Sequence, residues 1–300
     1  MTGFHQGELE VQQLVGVQAI ASKVGHLIEK SVPLRALDFI RQQAMIWIGV
    51  EDCEGLPWAF PLFGLPGFIN PNQGESIEIE LNGKFPIPEQ WLMHLQTGKA
   101  IGCLVIELST RRRLRINGVI SDINARRLQV DVQQAYPNCP KYIRQREMPE
   151  QFDCCKFHFQ SSGQVLNRQL ENIISQSDTA FVASLGPNGA DVSHRGGPSG
   201  FIRCQSPRTV IVPDYQGNSM FNTLGNFKAY PFGGLIVVDF NQGYFLQLSG
   251  DIKLSFEQEK LQTTIDGTDR LWELTINQWQ LFQLANNIQW ESLDFSAHNP

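Results

Sequence analysis

The sequence has no apolar run near the ~20 residues that a membrane-spanning helix requires. Its opening residues, MTGFHQGELEVQQL, lack the basic and then apolar parts of a signal peptide. The six cysteines form no CxxC pair and no Cys/His zinc spacing, so we expect free thiols in a reducing compartment. Together these absences predict a cytoplasmic protein that does not cross a membrane.

The sequence is also poor in positive charge. It has 24 Lys and Arg against 30 Asp and Glu, a net charge of −6 and a pI near 5.5. Because affinity for nucleic-acid phosphates comes from clustered Lys and Arg, no nucleic-acid partner is expected. A charged content of 18% and an apolar content of 42% are typical of a globular protein, and 300 residues suffice for two domains.

Several motifs of enzymes and metalloproteins are missing. The histidines show no HExxH spacing, so no metal site is predicted. The Gly-rich segment lacks both the lysine of a P-loop and the GxGxxG pattern, which argues against nucleotide hydrolysis and a Rossmann domain. No pair of carboxylates stands out for acid–base work, and catalytic residues stay unassigned.

The chain contains an internal repeat, marked by three landmarks that recur at a nearly constant separation. The landmarks are Gly55 with Gly189, Phe68 with Phe201 and Gly118 with Gly250. Each half reads β-β-β-α-β-β-β, with strands assigned from alternation and β-branched content, as in Ser76–Leu81 and Thr209–Val212. Six short antiparallel strands with one inserted helix favour closure into a small barrel.

The predicted fold is therefore mainly β with flanking helices, and it contains two tandem six-stranded antiparallel β-barrels. Residues 1–33 form an N-terminal helical segment, residues 34–148 the first barrel and residues 163–300 the second. Apolar spacing predicts one helix over residues 8–30, which Pro33 ends, and another over Leu34–Gln43. A short helix is expected at Pro140–Arg146, between the two barrels.

The two halves differ on their second strand. The second half carries Asp191–Gly197 (DVSHRGG), where the first has the uncharged Trp58–Gly64. Arg195, close to Ser193 and to two glycines, suits a phosphate because arginine pairs bidentately and glycine lets main-chain N–H groups approach. A helix predicted to begin at Asn218–Ser219 adds unpaired N–H groups and a favourable dipole. The alternative is a solvated arginine beside a Gly-Gly turn.

These residues resemble the pyridoxamine 5′-phosphate oxidase-like FMN-binding split-barrel family. In the second half, SHRGGPSGFI, VIVPDYQGNSMFNTLGN and LQLSGDI are similar to that family's second strand, its third strand with the following helix, and its fifth strand. In the first half, RRLRINGVISDI resembles the fifth strand, and Asn138–Tyr142 (NCPKY) resembles a segment of a subfamily with a doubled layout. The likeness covers about residues 34–290 and is most specific over residues 191–226. It implies two split β-barrels with FMN in the groove between them.

The resemblance also implies where individual residues lie. It places Ser193, His194, Arg195 and Gly196 along the flavin's ribityl chain and phosphate, Val212 and Pro213 beside the flavin, and Asn218 and Ser219 at the phosphate. Oxidases of the pyridoxamine type have Arg and Lys at the start of this helix, where the chain has Ser219 and Met220. Arg195 is therefore expected to carry most of the phosphate's charge, and oxidation of pyridoxamine phosphate is not expected.

Two cations of the first half complete the predicted cofactor site, and each has two interpretations. Arg113, which alternates with Arg115 on a strand, either reaches the flavin or substrate across the interface or keeps a solvent-facing strand edge soluble. Lys141 either approaches the flavin or is a surface lysine. Cys139, between them in the sequence, is either a reactive thiol or a buried structural cysteine.

The predicted function is that of an FMN-dependent oxidoreductase with FMN as its cofactor. Flavin supplies the redox chemistry, so no catalytic dyad is required of the protein. The expected partners are a small-molecule substrate or nicotinamide electron donor and a second copy of the chain in a homodimer. Two alternatives stay open: a non-catalytic flavin-binding or sensor module, and a haem-binding or haem-degrading protein with His194 as first candidate ligand.

Overall fold

The computed structural model describes residues 3–81, 83–149, 156–256, 268–285 and 290–293, and these residues are mainly β. The strands of the first half are β1 (Met45–Glu51), β2 (Pro57–Phe63), β3 (Ile69–Asn70), β4 (Ser76–Glu80), β5 (Ala100–Glu107), β6 (Arg112–Ile123) and β7 (Arg127–Pro137). Those that follow are β8 (Arg146–Glu147), β9 (Lys156–Gly163), β10 (Thr179–Gly186), β11 (Gly189–Gly196), β12 (Arg203–Ser206), β13 (Thr209–Pro213), β14 (Phe232–Asp239), β15 (Tyr244–Ser255), β16 (Leu271–Ala285) and β17 (Glu291–Ser292).

The helices are few and short. They are α1 (Gln6–Val15), α2 (Gln18–Gly25), a 3-10 turn (Leu34–Ala36) continued by α3 (Leu37–Arg41), α4 (Glu89–Leu92), α5 (Arg168–Gln176) and α6 (Asn222–Ala229). None of the described helices is long and apolar enough to cross a membrane.

The two halves form two antiparallel sheets with the same strand order. The first sheet runs β2-β1-β5-β6-β7-β4-β3, and the second runs β11-β10-β14-β15-β16-β13-β12 with β9 added beside β16. The six strands predicted for each half are present, with α4 and α6 in the predicted places between them. The number six is wrong for the sheets themselves, because β3, β12 and β9 extend them. β3 has two residues and β12 four, too few for an alternation pattern to be recognised.

The two sheets share one continuous core at their contact. On β4, Ile77 and Ile79 are buried while Ser76, Glu78 and Glu80 are not, as period-two alternation requires. Trp47 of β1 stacks on Phe181 of β10 with ring centroids 3.5 Å apart. The larger hydrophobic cluster accordingly contains buried residues of both halves.

The contact between the sheets is close to two-fold symmetric. A Cβ atom on Gly102 of β5 would clash with the backbone of Asp191 on β11, and one on Gly234 of β14 would clash with the backbone of Pro57 on β2. The two glycines occupy equivalent positions of the sequence repeat, and so do Pro57 and Asp191. The halves therefore pack as the two subunits of an isologous dimer do, within one chain.

Residues 3–32, here called the N-terminal strap, differ from the single helix predicted over residues 8–30. A capping box between His5 and Glu8 begins α1, and Gly16, with a φ of 73°, ends it. After this break α2 continues to Gly25. The strap then pairs with β7 through a bridge between Glu29 and Ala135. The strap therefore contacts both halves, through Gln12 on the second and through Glu29 on the first.

The helix predicted at Pro140–Arg146 is wrong. Tyr142 has a φ of 66°, in the left-handed region, which interrupts any right-handed helix there. Arg146 instead begins β8, which pairs with β17. The segment Asn138–Tyr142 is consequently a turn, and the side chains at its two ends contact the second half.

Candidate functional site

A cavity of about 430 Å³ lies where the two halves and the strap meet. Its walls come from β6 and the turn Asn138–Tyr142 of the first half, from β11 and the segment Pro213–Leu224 of the second, and from the joint between α1 and α2. This volume lies within the range of pockets that hold small molecules and cofactors.

Nine of the ten residues predicted for the cofactor site line this cavity. They are Arg113, Lys141, Ser193, His194, Arg195, Gly196, Pro213, Asn218 and Ser219. The tenth, Val212, is buried in the hydrophobic core of the second sheet. Successive side chains of a strand point to opposite faces, and on β13 Val212 faces the core of the second sheet while Pro213 faces the cavity.

The surroundings of Arg195 argue against the prediction that it carries most of the phosphate's charge. Its guanidinium forms a 2.6 Å ion pair with Asp214, whose other carboxylate oxygen accepts a hydrogen bond from Arg270 Nε at 3.2 Å. Asp214 follows the end of β13 and Arg270 directly precedes β16, whereas Arg195 is on β11. Because the three residues are far apart in the sequence, their contact could not be predicted from it. The charge of Arg195 is balanced within the protein.

Arg113 projects from β6 into the cavity and forms no ion pair with a carboxylate of the described residues. Its guanidinium donates a hydrogen bond to the carbonyl of Cys139, and its buried Nε has no partner among the described residues. Burial, and then the neighbouring Arg115, lower the pKa of Arg113 to about 9, so it is still charged at neutral pH. Of the two interpretations of Arg113, the geometry supports the one in which it faces the second half.

His194 is a buried imidazole without partners. It is 6% exposed, and neither ring nitrogen has a hydrogen-bond partner in the described part of the chain. Burial, and then the charges of Arg113 and Arg195, hold its pKa well below the ordinary value, so the ring is neutral. A neutral imidazole offers one donor and one acceptor, and an unpaired buried polar group is costly unless a ligand or water pairs it.

The cavity is more positive than the protein around it. Its charged lining residues are Arg113, Arg115, Lys141, Arg195, Arg270, Asp214 and Asp269. Asp191 behind the wall pairs with Arg115, so five cations face three carboxylates and two positive charges remain. In a chain of net charge −6, this concentrates an anionic ligand in the cavity.

The segment Asn218–Asn222 replaces the helix start predicted at Asn218–Ser219. Helix α6 begins only at Asn222, and both Ser219 (φ 63°) and Phe221 (φ 60°) are left-handed. The Asn218 side chain accepts a hydrogen bond from the Met220 amide at 3.1 Å, which forms a turn instead of a helix cap. Left-handed residues other than glycine are strained and cluster at functional sites.

The strap supplies an apolar part of the lining that the predicted site did not include. Val15, Val17 and Ile20 line the cavity at the joint between α1 and α2. In the sequence, Val17 belongs to the apolar spacing that predicted a helix over residues 8–30, and nothing there indicates a ligand site. Tyr142 and Tyr215, stacked with ring centroids 5.1 Å apart, also line it.

The position related to the cavity by the internal repeat is filled with aromatic side chains. By the spacing of the repeat, Phe60 is the counterpart of His194, and Phe245 is the counterpart of Arg113. With Trp91 they are buried at the contact of β2, α4 and β15. We call Phe60, Trp91, Phe157, Phe245 and Phe282 the aromatic plug.

The plug is continuously packed. Trp91 lies 5.2 Å from Phe60, 4.7 Å from Phe157 and 4.8 Å from Phe282, measured between ring centroids. Its indole Nε1 donates a 2.9 Å hydrogen bond to Gln247, so the polar end of the ring is satisfied. Of the two grooves that the repeat relates, one is therefore the open cavity and the other is filled by the aromatic plug.

The described residues hold no group of three or more His, Cys, Asp or Glu that could bind a metal ion. Cys53, Cys103, Cys139 and Cys204 are free, while Cys154 and Cys155 lie outside the described residues. Cys139 is half-buried beside the cavity.

No family model and no curated protein matches the chain. Solved structures do match. HupZ from Group A Streptococcus is 12% identical, with 43% of this chain and 99% of that chain covered and a TM-score of 0.31. A putative pyridoxamine 5′-phosphate oxidase from Lactobacillus delbrueckii is 11% identical, with 39% and 94% covered and a TM-score of 0.33. A pyridoxamine 5′-phosphate oxidase-related, FMN binding protein from Nostoc punctiforme is 11% identical, with 45% and 100% covered and a TM-score of 0.28. Solved structures of the pyridoxamine 5′-phosphate oxidase-like kind are thus among the matches, and each of these two matches covers about 40% of the chain.

Proposed function

We propose that the chain binds FMN in the cavity between its two halves and acts as an FMN-dependent oxidoreductase. The observation that carries the proposal is the pairing of surplus positive charge with unpartnered buried groups, Arg113 Nε and both nitrogens of His194, around one cavity. These groups suit an anionic, hydrogen-bonding ligand, and the cavity has room for one of cofactor size. FMN, with a phosphate at one end and a planar ring system at the other, fits that requirement.

Arg113 and Lys141 are the residues that would hold the phosphate, with Ser193 and the segment Asn218–Ser219 beside it. This differs from the expectation based on Arg195, whose charge Asp214 already balances. Val15, Val17 and Ile20 would contact an apolar part of the ligand. Bound FMN would supply the redox chemistry, and the protein would supply binding, orientation and a positive field.

The remaining expectations belong to the same proposal. The two sheets would be split β-barrels, and the partners would be a small-molecule substrate or a nicotinamide electron donor. A homodimer and a cytoplasmic location stay predictions, the latter supported by the four free thiols. Anaerobic bleaching of the bound flavin by NADH or NADPH would favour an enzyme, whereas a flavin that neither donor reduces would favour a carrier or sensor.

The test is a fluorescence titration of the purified protein with FMN. Arg113→Met is expected to weaken FMN binding by about 1.5–3 kcal/mol, roughly 10- to 150-fold, because a charge-assisted contact to phosphate is lost. Arg112→Met, on the exposed face of the same strand, is the matched control and should leave the affinity unchanged. Protein that takes up no FMN contradicts the proposal, and equal affinities for the two variants would place the phosphate elsewhere.

A second candidate function rests on His194 alone. A neutral, buried imidazole with free nitrogens also suits an axial ligand for haem iron. If haem is the ligand, titration with haem gives a Soret band that His194→Ala abolishes and Arg113→Met retains. If FMN is the ligand, added FMN displaces any haem that binds, and His194→Ala leaves the Soret band unchanged.

A further inference from the structure

The strap is fastened to the cavity segment Asn218–Asn222 by two buried polar side chains of α1. The Gln12 side-chain amide donates a 2.9 Å hydrogen bond to the carbonyl of Met220. The Glu8 carboxylate accepts hydrogen bonds from the Asn222 side-chain amide and, at 2.7 Å, from the His5 backbone N–H. Glu8 is 3% exposed and Gln12 is 2% exposed, so both contacts are shielded from water.

Helices α1 and α6 are closely packed, so Glu8 and Gln12 are fixed relative to the segment Asn218–Asn222. A Cβ atom on Gly7 would clash with the carbonyl of Gly225, and a Cβ atom on Gly225 would clash with Glu8. His5 Nε2 lies 2.9 Å from the side-chain oxygen of Asn226, one turn further along α6. The helices therefore meet along more than one turn, which fixes Glu8 and Gln12 relative to the beginning of α6.

The segment that they hold needs external support. Ser219 and Phe221 both have left-handed backbones, which residues other than glycine adopt at a cost and keep only when the surroundings enforce it. Met220 lies between them, and its carbonyl is the acceptor of the Gln12 hydrogen bond. The strap thus binds the strained segment at its centre through Gln12 and at its end through Glu8.

We infer that Glu8 and Gln12 are positioning residues, which hold the strained segment Asn218–Asn222 in the shape that completes the ligand cavity. Neither side chain lines the cavity, so both act through the segment. The inference about FMN affinity rests on the proposed function, but the inference about the shape of the segment does not.

Glu8 makes this support sensitive to pH. Burial, opposed by the hydrogen bonds from His5 and Asn222, raises its pKa from 4.5 to about 7. The groups facing it are His5 on α1, neutral because burial lowers its pKa, with Asp191 on β11, Arg115 on β6 and Tyr136 on β7. The folded carboxyl binds its proton more tightly than an unfolded one. The stability that the buried Glu8 carboxyl contributes is therefore complete below the ordinary pKa of a carboxyl group and declines as pH rises through about 7.

The first experiment measures amide hydrogen exchange over residues 215–224 in ligand-free protein. Gln12→Leu removes the donor to Met220 and is expected to speed exchange there at least tenfold. Gln13→Leu, an exposed neighbour on the same helix, is the matched control and should leave it unchanged. Exchange in Gln12→Leu equal to that of the wild type would overturn the inference, whether or not the protein binds FMN.

The second experiment uses Glu8→Gln, which keeps a hydrogen-bonding side chain of the same size but cannot ionise. FMN affinity is measured from pH 5 to pH 8.5 for both proteins, and the ratio cancels the titration of the FMN phosphate itself. Wild-type affinity should fall several-fold relative to Glu8→Gln as pH rises through 7, and Glu8→Ala should be weak at every pH. A constant ratio would contradict the pH dependence, and Glu8→Ala affinity equal to that of the wild type would overturn the positioning role of Glu8. Wild-type protein that binds no FMN at any pH would instead contradict the proposed function.

Discussion

Replacing Asp191 by alanine is expected to lower the free energy of unfolding by about 3–5 kcal/mol, because it leaves a buried arginine without its partner. Arg115 Nη1 lies 3.1 Å and 3.0 Å from the two oxygens of Asp191. Asn117 and Tyr136 also donate hydrogen bonds to this carboxylate, at 3.3 Å and 3.4 Å. The pair joins β6 of the first half to β11 of the second, so the loss weakens the contact between the halves.

Urea unfolding measures this effect, and Asp122→Ala is its control. Asp122 forms a 3.2 Å ion pair with Arg127, but both side chains are close to half exposed, so the control should cost less than about 1 kcal/mol. The double variant Arg115→Met, Asp191→Leu should recover most of the loss, since it removes both charges. A loss for Asp191→Ala as small as that of the control would mean that water reaches Arg115.

Only part of the fold could be predicted from a period of two, because β1, β2, β5, β10 and β14 are buried along almost their whole length. Strands such as β4, with Ile77 and Ile79 buried between polar neighbours, carry their own signal. The repeat then supplied the symmetry between halves. What the sequence could not supply was structure set by distant contacts. The left-handed Tyr142 and Phe221 interrupt predicted helices where no glycine or proline marks the position.

The candidate site, like the fold, could be predicted only in part. Ser193, His194 and Arg195 stand together in the sequence, and their strand brings them together in the fold. The ion pair that neutralises Arg195 joins it to Asp214 and, through Asp214, to the still more distant Arg270. Residue types and spacing do not encode such a pairing. Conversely, the surplus charge of Arg113 depends on which carboxylates fail to reach it, which only the folded chain reveals.

The aromatic plug shows how the two halves have diverged. One groove between the two halves contains Arg113 and His194. The groove related to it by the repeat contains Phe245 and Phe60 at the equivalent positions. Phe157 comes from β9, which pairs with β16 along eight residues, whereas at the related edge of the first sheet the strap makes the single bridge between Glu29 and Ala135. The exchange converts a polar groove into part of the hydrophobic core. If FMN binds as proposed, each chain therefore takes up one FMN.

Trp91→Ala is expected to cost about 3–5 kcal/mol of stability, because it opens a cavity among the four phenylalanines of the plug. The loss should be equal with and without FMN, since the plug is not the ligand site, and the stoichiometry should stay at one FMN per chain. Arg113→Met should do the reverse, removing the FMN-dependent rise in stability while leaving ligand-free stability nearly unchanged. Thermal unfolding with and without FMN, together with a flavin-to-protein absorbance ratio, separates these outcomes. Two flavins per chain in the wild type, or a Trp91→Ala loss that FMN reverses, would show that the groove of Phe60 and Phe245 also binds ligand.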